Sequence, residues 1–303
     1  MSVLAIIAAL LLEQWRPLGE RGTYHALLSR WANWLEGTFN AGESHHGRIA
    51  WLAAAAPFVL GSLALYYVLF WMHPLFALAL NVAALYVTLG FRQFSHYFTA
   101  IQVAIKAGDM DRARELIGTW RGESAQHRTK EEVVRLSIEE ALAASHHHVF
   151  AVLFWFMVLP GPSGAILYRL AGFLSHRWKS QGAFGTFAGR VNDAMEWPVV
   201  RLTAIAFAVV GDFEDAIYCW RTQAAAWKDP NLGIVLAAGA GAMGVRLGMP
   251  LTEADGTVEP RPDIGLGEVA DVAFLDSTVG LLWRSLVVWV FLLGILTVAR
   301  IFG

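Results

Sequence analysis

The sequence predicts an all-α protein: a polytopic integral membrane protein of helices, with a soluble helical insertion. Hydrophobic residues make up 56% of the chain and charged residues only 16%, whereas an ordinary soluble domain has about 45–50% and about 25%. Residues 49–71 contain no charged side chain and are long enough to cross a bilayer core of about 30 Å. A further apolar segment, centred on residues 285–299, predicts a membrane helix at the end of the chain.

The N-terminal region, residues 1–91, is predicted to be a membrane region. Residues 2–12 are apolar but lack the positive region and cleavage motif of a signal peptide, so we expect a short membrane-inserted helix. Residues 49–71 and 74–91 are both free of charge, and only Met72 and His73 separate them. The pair therefore predicts a transmembrane hairpin.

Residues 92–148 change character and predict a soluble helical insertion. Basic and acidic residues alternate through this stretch, Asp109 can cap a helix, and Glu131 and Glu132 can open another. Lys and Arg are frequent in residues 13–48 and 92–148 and absent from the short connection at His73, so both charged regions are expected to face the cytoplasm.

The remaining chain divides into three predicted segments. In residues 149–250, apolar stretches surround the Pro-Gly break at 160–164, which predicts short or re-entrant helices there, with a single kinked span as the alternative. Residues 198–211 predict another short apolar helix, and Asp212 can cap the soluble helix that follows it. Residues 251–280 contain a Pro-, Gly- and acid-rich loop, and residues 281–303 predict the C-terminal transmembrane helix, with Arg284 and Arg300 placed to reach its two interfaces.

Two motifs that suggest ligand binding have simpler explanations. Residues 239–244 match the dinucleotide pattern G-x-G-x-x-G, but no βαβ unit surrounds them and Pro250 follows closely, so close helix packing is favoured. His146, His147 and His148 point about 100° apart on a helix, so they do not converge on one ion. We expect a polar, titratable collar instead. The single cysteine, Cys219, excludes an internal disulfide and a Cys-based zinc site.

Asp193, Arg201 and Arg246 are the charged residues that most suggest a site. Arg201 lies in an apolar segment and Arg246 among small residues, where an unpaired charge is costly. Each arginine therefore needs an anionic partner, which is either Asp193 or the phosphate or carboxylate of a ligand. A purely structural role, in which the arginines hold loop carbonyls, is equally open.

Around these residues the sequence resembles the CobD/CbiB family of cobalamin-biosynthesis membrane proteins and its relative AmpE. Residues 230–233, 237–238 and 241–248 are similar to the family pattern PNAG…AA…GALGVRLG. Residues 153–155 with Tyr168 and Arg169 are similar to its LFW…YR pair, and Asp193, Trp197 and Arg201 fall in its DD..NW..ARL segment. The resemblance implies attachment of an aminopropanol-phosphate arm to adenosylcobyric acid by amide formation.

The sequence departs from the family at three places. Residues 142–148 stand where the family has AENT.DG, residues 172–175 replace NTLD, and Leu236 replaces an acid. The N-terminus and residues 197–202 look more like AmpE, which implies a non-catalytic signalling or regulatory membrane protein. An amide ligase like adenosylcobinamide-phosphate synthase and the AmpE-like alternative therefore both stay open.

The combined prediction is a multi-pass protein of the bacterial inner membrane whose ligand-binding residues meet in one polar site. That set is Asp193, Arg201, Asn231, Arg246 and Arg169. No catalytic residue is assigned, and neither a metal nor a cofactor is expected. The expected partners are the lipid bilayer and either a corrinoid-pathway intermediate, as substrate, or a signalling protein; the net charge of −2 gives no reason to expect nucleic acid.

Overall fold

The computed structural model of the chain describes residues 2–15, 22–40, 42–252 and 255–302. Within them, helices dominate and the strands are only two to four residues long, which confirms the all-α prediction. The helices are α1 (Ser2–Trp15), α2 (Gly22–Phe39), α3 (Ser44–Met72), α4 (Pro74–Thr88), α5 (Phe91–Lys106), α6 (Met110–Arg121), α7 (Lys130–Ser145), α8 (Ala151–Val158), α9 (Ser163–Arg177), α10 (Thr186–Val210), α11 (Phe213–Gln223), α12 (Pro230–Met243) and α13 (Val272–Phe302). The strands are β1 (Val245–Gly248), β2 (Leu251–Thr252), β3 (Val258–Glu259), β4 (Asp263–Ile264) and β5 (Glu268–Val269).

Three helical stretches of the described chain are long and apolar enough to cross a membrane: Ser44–Met72, Lys130–Val158 and Val272–Thr297. Large apolar side chains on α3 are open to the surroundings, including Leu60 at 61% and Trp71 at 88% exposure. A lipid environment explains this exposure, because hydrocarbon chains rather than water then meet the side chains. The prediction of a helical membrane protein is thereby confirmed.

The second arm of the predicted hairpin is shorter than expected. Helix α4 has 15 residues and is therefore about 22 Å long, less than the hydrocarbon thickness of about 30 Å. His73 ends α3 and begins α4, and its Nδ1 accepts a hydrogen bond from the Leu75 amide at 3.2 Å. The tight turn between the two apolar helices is as predicted, although α4 alone is too short to span.

Several helices begin where the sequence predicts a capping residue. The Asp109 and Asp212 side chains accept backbone hydrogen bonds at the starts of α6 and α11. At α7, Thr129 and Glu132 form a reciprocal capping box. These helix starts could be predicted from sequence because a capping hydrogen bond joins residues only two or three positions apart.

Other boundaries differ from the prediction. Helix α7 continues through a π-helical turn, His146–Phe150, into α8, so the chain has no break at residue 149. The predicted short helix at 198–211 is instead the second half of α10, since Pro198 lies inside the helix rather than at its start. Helix α13 begins earlier than expected, because the Asp271 side chain accepts a hydrogen bond from the Ala273 amide.

The described chain divides into two compact units. The first is drawn from Met1–Gly90, Ala151–Pro198 and Leu296–Gly303. In it, α3 packs against α2, α4 and α9, α1 packs against α4, and α8 packs against α9. Hydrogen bonds join the regions that resemble family patterns: Trp155 Nε1 donates to the Met195 carbonyl at 3.2 Å, and the Tyr168 hydroxyl donates to Glu196 at 2.6 Å.

The second unit comprises Phe91–Phe150 and Val199–Ile295. In it, α12 packs against α11 and α7, and α5 packs against α6 and α7. A small sheet follows α12 in the order β4-β1-β5, with β1 antiparallel to β4 and parallel to β5, and β2 pairs with β3. Where it is described, the predicted loop segment 251–280 therefore contains short strands and the first residues of α13. Together, α7, α12 and this sheet position the candidate site.

Candidate functional site

The segment with the G-x-G-x-x-G pattern is a packing helix. Gly239 and Gly241 lie inside α12, and Gly244 ends the helix in the left-handed conformation, with φ +67°. A dinucleotide site would need the glycines before the start of a helix. A β-carbon at Gly241 would collide with the Asp215 carbonyl of α11. The prediction that these small residues serve close helix packing is therefore confirmed.

One face of α7 holds the segment that follows α12. Glu132, Arg135 and Glu139 are spaced three and four residues apart, so they lie on the same side of the helix. Glu132 accepts a hydrogen bond from the Thr252 amide at 3.1 Å, and Arg135 Nη2 donates to the Pro250 carbonyl at 3.1 Å. All three α7 side chains are at least nine-tenths buried, so these bonds fix the strand segment against the helix.

Glu139 is the centre of this arrangement. Its Oε1 accepts a hydrogen bond from the Gly248 amide at 2.9 Å, and its Oε2 accepts one from Arg261 Nη2 at 2.5 Å. The two side chains of the ion pair are only 4% and 11% exposed. Gly248 has φ +73°, and a β-carbon there would collide with the Pro262 carbonyl. The positive φ and the close Pro262 carbonyl therefore explain why residues 245–248, which resemble the family pattern, end in glycine.

A cleft of about 390 Å³ lies beside Glu139, entirely within the second unit. Its wall combines cations and acids with an apolar side formed by Trp227 and the leucines of α7 and α12. The charged lining residues are Arg121, Glu123, Arg128, Glu139, Glu140, Lys228, Glu259 and Arg261. Such a mixture of apolar wall and convergent polar groups is typical of small-molecule sites.

One guanidinium group that lines this cleft keeps an unused hydrogen-bond donor. Among the described residues, Arg261 Nη1 is buried and has no hydrogen-bond partner. The Arg261 guanidinium also stacks over the Trp227 ring at 4.9 Å, which fixes its plane. Because an unsatisfied buried donor on a charged group is costly, this nitrogen suits an anion with several acceptor oxygens.

The five sequence-predicted ligand residues lie elsewhere, and none of them lines this cleft. Arg169 is in α9 and Asp193 in the first half of α10, while Arg201 is half-buried in the second half of α10. Asn231 and Arg246 flank α12 at opposite ends, about 20 Å apart along its axis. The structure therefore does not bring this last pair together, and a ligand-binding role for the five residues stays a prediction.

Arg246 has a protein partner that the sequence analysis did not foresee. It forms an ion pair with Asp263 of β4, and the two side chains are 41% and 43% exposed. The Asp263 carboxylate raises the pKa of Arg246 through this hydrogen bond. Arg246 therefore does not carry the free-energy cost of an unpaired buried charge, since the residue is partly exposed and paired with Asp263.

The triple histidine sits in the π-helical turn, where His146 is buried and its Nδ1 lies 3.0 Å from the Thr203 hydroxyl. Sequence reasoning missed Glu139 and Arg261 as site residues. The spacing of Glu132, Arg135 and Glu139 on α7 was a readable signal for one polar face. The sequence contains no such signal for Arg261, because this residue lies 122 positions away from its partner Glu139.

Comparison with known proteins gives a family match along most of the chain. The CobD/Cbib protein family matches residues 6–282. The cobalamin biosynthesis protein CobD of Stutzerimonas stutzeri is 34% identical in an alignment of 307 positions, gaps included, that covers 97% of each chain. The CobD protein of Chromobacterium violaceum is 36% identical over 238 residues, covering 77% of this chain and 74% of that protein. No solved structure shows significant similarity, and these comparisons give no support to the AmpE-like alternative.

Proposed function

Since the chain belongs to the CobD/CbiB family, we propose that it acts in cobalamin biosynthesis as a multi-pass protein of the bacterial inner membrane. The reaction that the resemblance implies joins aminopropanol phosphate to a propionate of adenosylcobyric acid. Both compounds carry anionic groups, so a binding protein needs fixed cations that are partly shielded from water. The cleft beside Glu139 has such cations.

The observation that carries the proposal is the unused donor on Arg261. Its buried Nη1 lacks a partner among the described residues although Arg261 lines the cleft, and a phosphate oxygen can accept from it. Arg128 and Lys228 add positive charge to the lining. We assign the phosphate of the aminopropanol arm to this end of the cleft.

The size of the cleft favours the small substrate. A volume of about 390 Å³ is near the lower end of the roughly 300–1,000 Å³ range of small-molecule pockets. It is sufficient for a phosphorylated amino alcohol and too small for a corrin macrocycle. The corrinoid would therefore present only a propionate side arm at the cleft, with its ring outside.

The test is a binding titration of detergent-purified protein with aminopropanol phosphate and with adenosylcobyric acid. The variant Arg261→Lys keeps a cation beside Glu139 but removes the forked donor set. We expect it to weaken aminopropanol phosphate binding at least tenfold, which is about 1.4 kcal/mol. The control Arg112→Gln removes an exposed cation of α6 outside the cleft and should leave binding unchanged.

A third variant separates this cleft from the set predicted by sequence. If Arg246→Gln abolishes binding while Arg261→Lys does not, the cleft assignment is wrong and the sequence-predicted residues carry the ligand. If wild-type protein binds neither compound, the proposed function fails. A nucleoside triphosphate is then added to the same mixtures to activate the carboxylate. Mass spectrometry would show whether an amide product forms, which distinguishes turnover from binding alone.

A further inference from the structure

Three side chains at the beginning of α3 place potential metal ligands close together. Glu43, His45 and His46 each offer one ligand atom, and these atoms lie within 4.8 Å of one another. Two of them are already close, since His45 Nδ1 lies 3.0 Å from Glu43 Oε2. In a tetrahedral zinc site with metal–ligand distances near 2.1 Å, ligand atoms are about 3.4 Å apart, so small side-chain rotations suffice.

The backbone that carries these residues is firmly placed within the first unit. Gly47 packs so closely on residues 182–185 that a β-carbon would collide with the Phe184 carbonyl. The next residue, Arg48, lies over the Phe187 ring at 5.5 Å. The first turn of α3 is therefore anchored from one side, which holds the backbone of the two histidines in place. Preorganisation of this kind lowers the cost of assembling a metal site.

Two hydrogen-bonding features of the cluster fit a bound cation. Within the described residues, His46 Nδ1 is buried and has no hydrogen-bond partner, although an unsatisfied ring nitrogen is unfavourable. Glu43 occupies the N-cap position of α3, yet its side chain makes no capping hydrogen bond. Its carboxylate points to His45 instead. A cation shared by the three side chains would account for both features.

We propose that Glu43, His45 and His46 form a binding site for one divalent transition-metal ion, with Zn²⁺ as the representative ion. Two imidazoles and one carboxylate favour zinc and its neighbours over magnesium or calcium, which prefer oxygen ligands. Solvent supplies the remaining coordination, because Glu43 and His45 are 69% and 59% exposed. The Glu43 charge offsets the repulsion between a cation and the positive end of the helix.

The ion would tie residue 43 to the first turn of α3 and so fix the point where this membrane-spanning helix begins. This role is independent of the cleft beside Glu139, because the cluster belongs to the first unit and the cleft to the second. Failure of either proposal leaves the other untouched.

The test is metal binding by the full chain, purified without a histidine tag and stripped with a chelator. Zn²⁺ is titrated in competition with a chromophoric chelator, and Co²⁺ is added separately as a spectroscopic probe. We expect His46→Asn and Glu43→Gln each to weaken Zn²⁺ binding at least about tenfold and to remove the visible Co²⁺ bands. The control His96→Asn replaces an exposed histidine of α5 and should bind like wild type.

Glu43→Gln guards against a folding artefact, since it alters only an exposed side chain. Size-exclusion elution and melting temperature are compared for all variants. The proposal is overturned if wild-type protein binds Zn²⁺ no more tightly than about 1 mM. It is also overturned if His46→Asn and Glu43→Gln retain wild-type affinity, because the bound ion then lies elsewhere.

Discussion

Replacing Glu139 with alanine should strongly destabilise the second unit. The side chain is 4% exposed and accepts hydrogen bonds from both the Gly248 amide and Arg261. Its removal leaves a buried guanidinium without its carboxylate and a buried amide without its acceptor. Breaking one partner of a buried ion pair typically costs about 3–5 kcal/mol, whereas an exposed pair contributes about 1 kcal/mol or less.

Thermal unfolding in detergent, followed by tryptophan fluorescence, measures this difference. With about 2–4 °C per kcal/mol for a unit of this size, Glu139→Ala should lower Tm by at least about 6 °C. The control Arg112→Ala breaks an exposed pair with Glu115, whose side chains are 53% and 59% exposed, and should barely change Tm. The double variant Glu139→Leu with Arg261→Met should recover part of the loss, because no buried charge is left alone. Equal Tm shifts for Glu139→Ala and Arg112→Ala would refute the structural role of Glu139.

Three further predictions concern the membrane and the single cysteine. The protein should stay in the membrane pellet after alkaline carbonate washing, and its release would contradict the membrane assignment. Burial raises the pKa of Cys219 to about 11, with Asp215 adding to the effect, so a maleimide should label native protein slowly near pH 7. Labelling should accelerate as pH rises towards that value, because only the thiolate reacts; rapid labelling at pH 7 would contradict this. With Cys219 silent, cysteines placed at Glu123 or Gln126 should resist an impermeant reagent in intact cells while one at His73 reacts, and the reverse pattern would refute the cytoplasmic orientation.

Sequence reasoning succeeded where the determining interactions are local. The capping residues Asp109 and Asp212 predicted two helix starts, because a cap acts across three residues. The absence of charge over residues 49–71 predicted α3, because length and apolarity alone decide whether a helix can span. Pro198 led to a wrong prediction of a helix start. Proline is common at the first position of a helix, but here preceding residues continue α10 through it.

The candidate site was hidden because its parts are distant in sequence. Arg246 drew attention as a charge among small residues, and only the fold shows that Asp263 of β4 meets it. Glu139 stands beside Glu140 within the predicted soluble helical insertion, residues 92–148. Its burial follows from the contacts that Gly248 and Arg261 make with it, and no local sequence pattern predicts these contacts. In a membrane protein, the charged residues that form a site can therefore lie outside the apolar segments.

One of the three departures from the family pattern, at residues 142–148, includes a residue that lines the same cleft. Residue for residue, the second position of AENT.DG corresponds to Ala143, and Ala143 lines the cleft. This chain therefore lacks a carboxylate at a place where the family pattern has one.

Ala143→Glu and Ala143→Gln have nearly the same shape and differ in charge, so comparing them isolates that carboxylate. Two unit charges at a separation of about 8 Å, the order of the dimension of such a cleft, repel by about 2 kcal/mol at an effective dielectric constant of about 20, or roughly thirtyfold in affinity. If the phosphate of the aminopropanol arm binds here, Ala143→Glu should bind it that much more weakly than Ala143→Gln in the same titration. Equal affinities in the two variants would place the phosphate away from α7 and return the question to the arginines of α10 and β1.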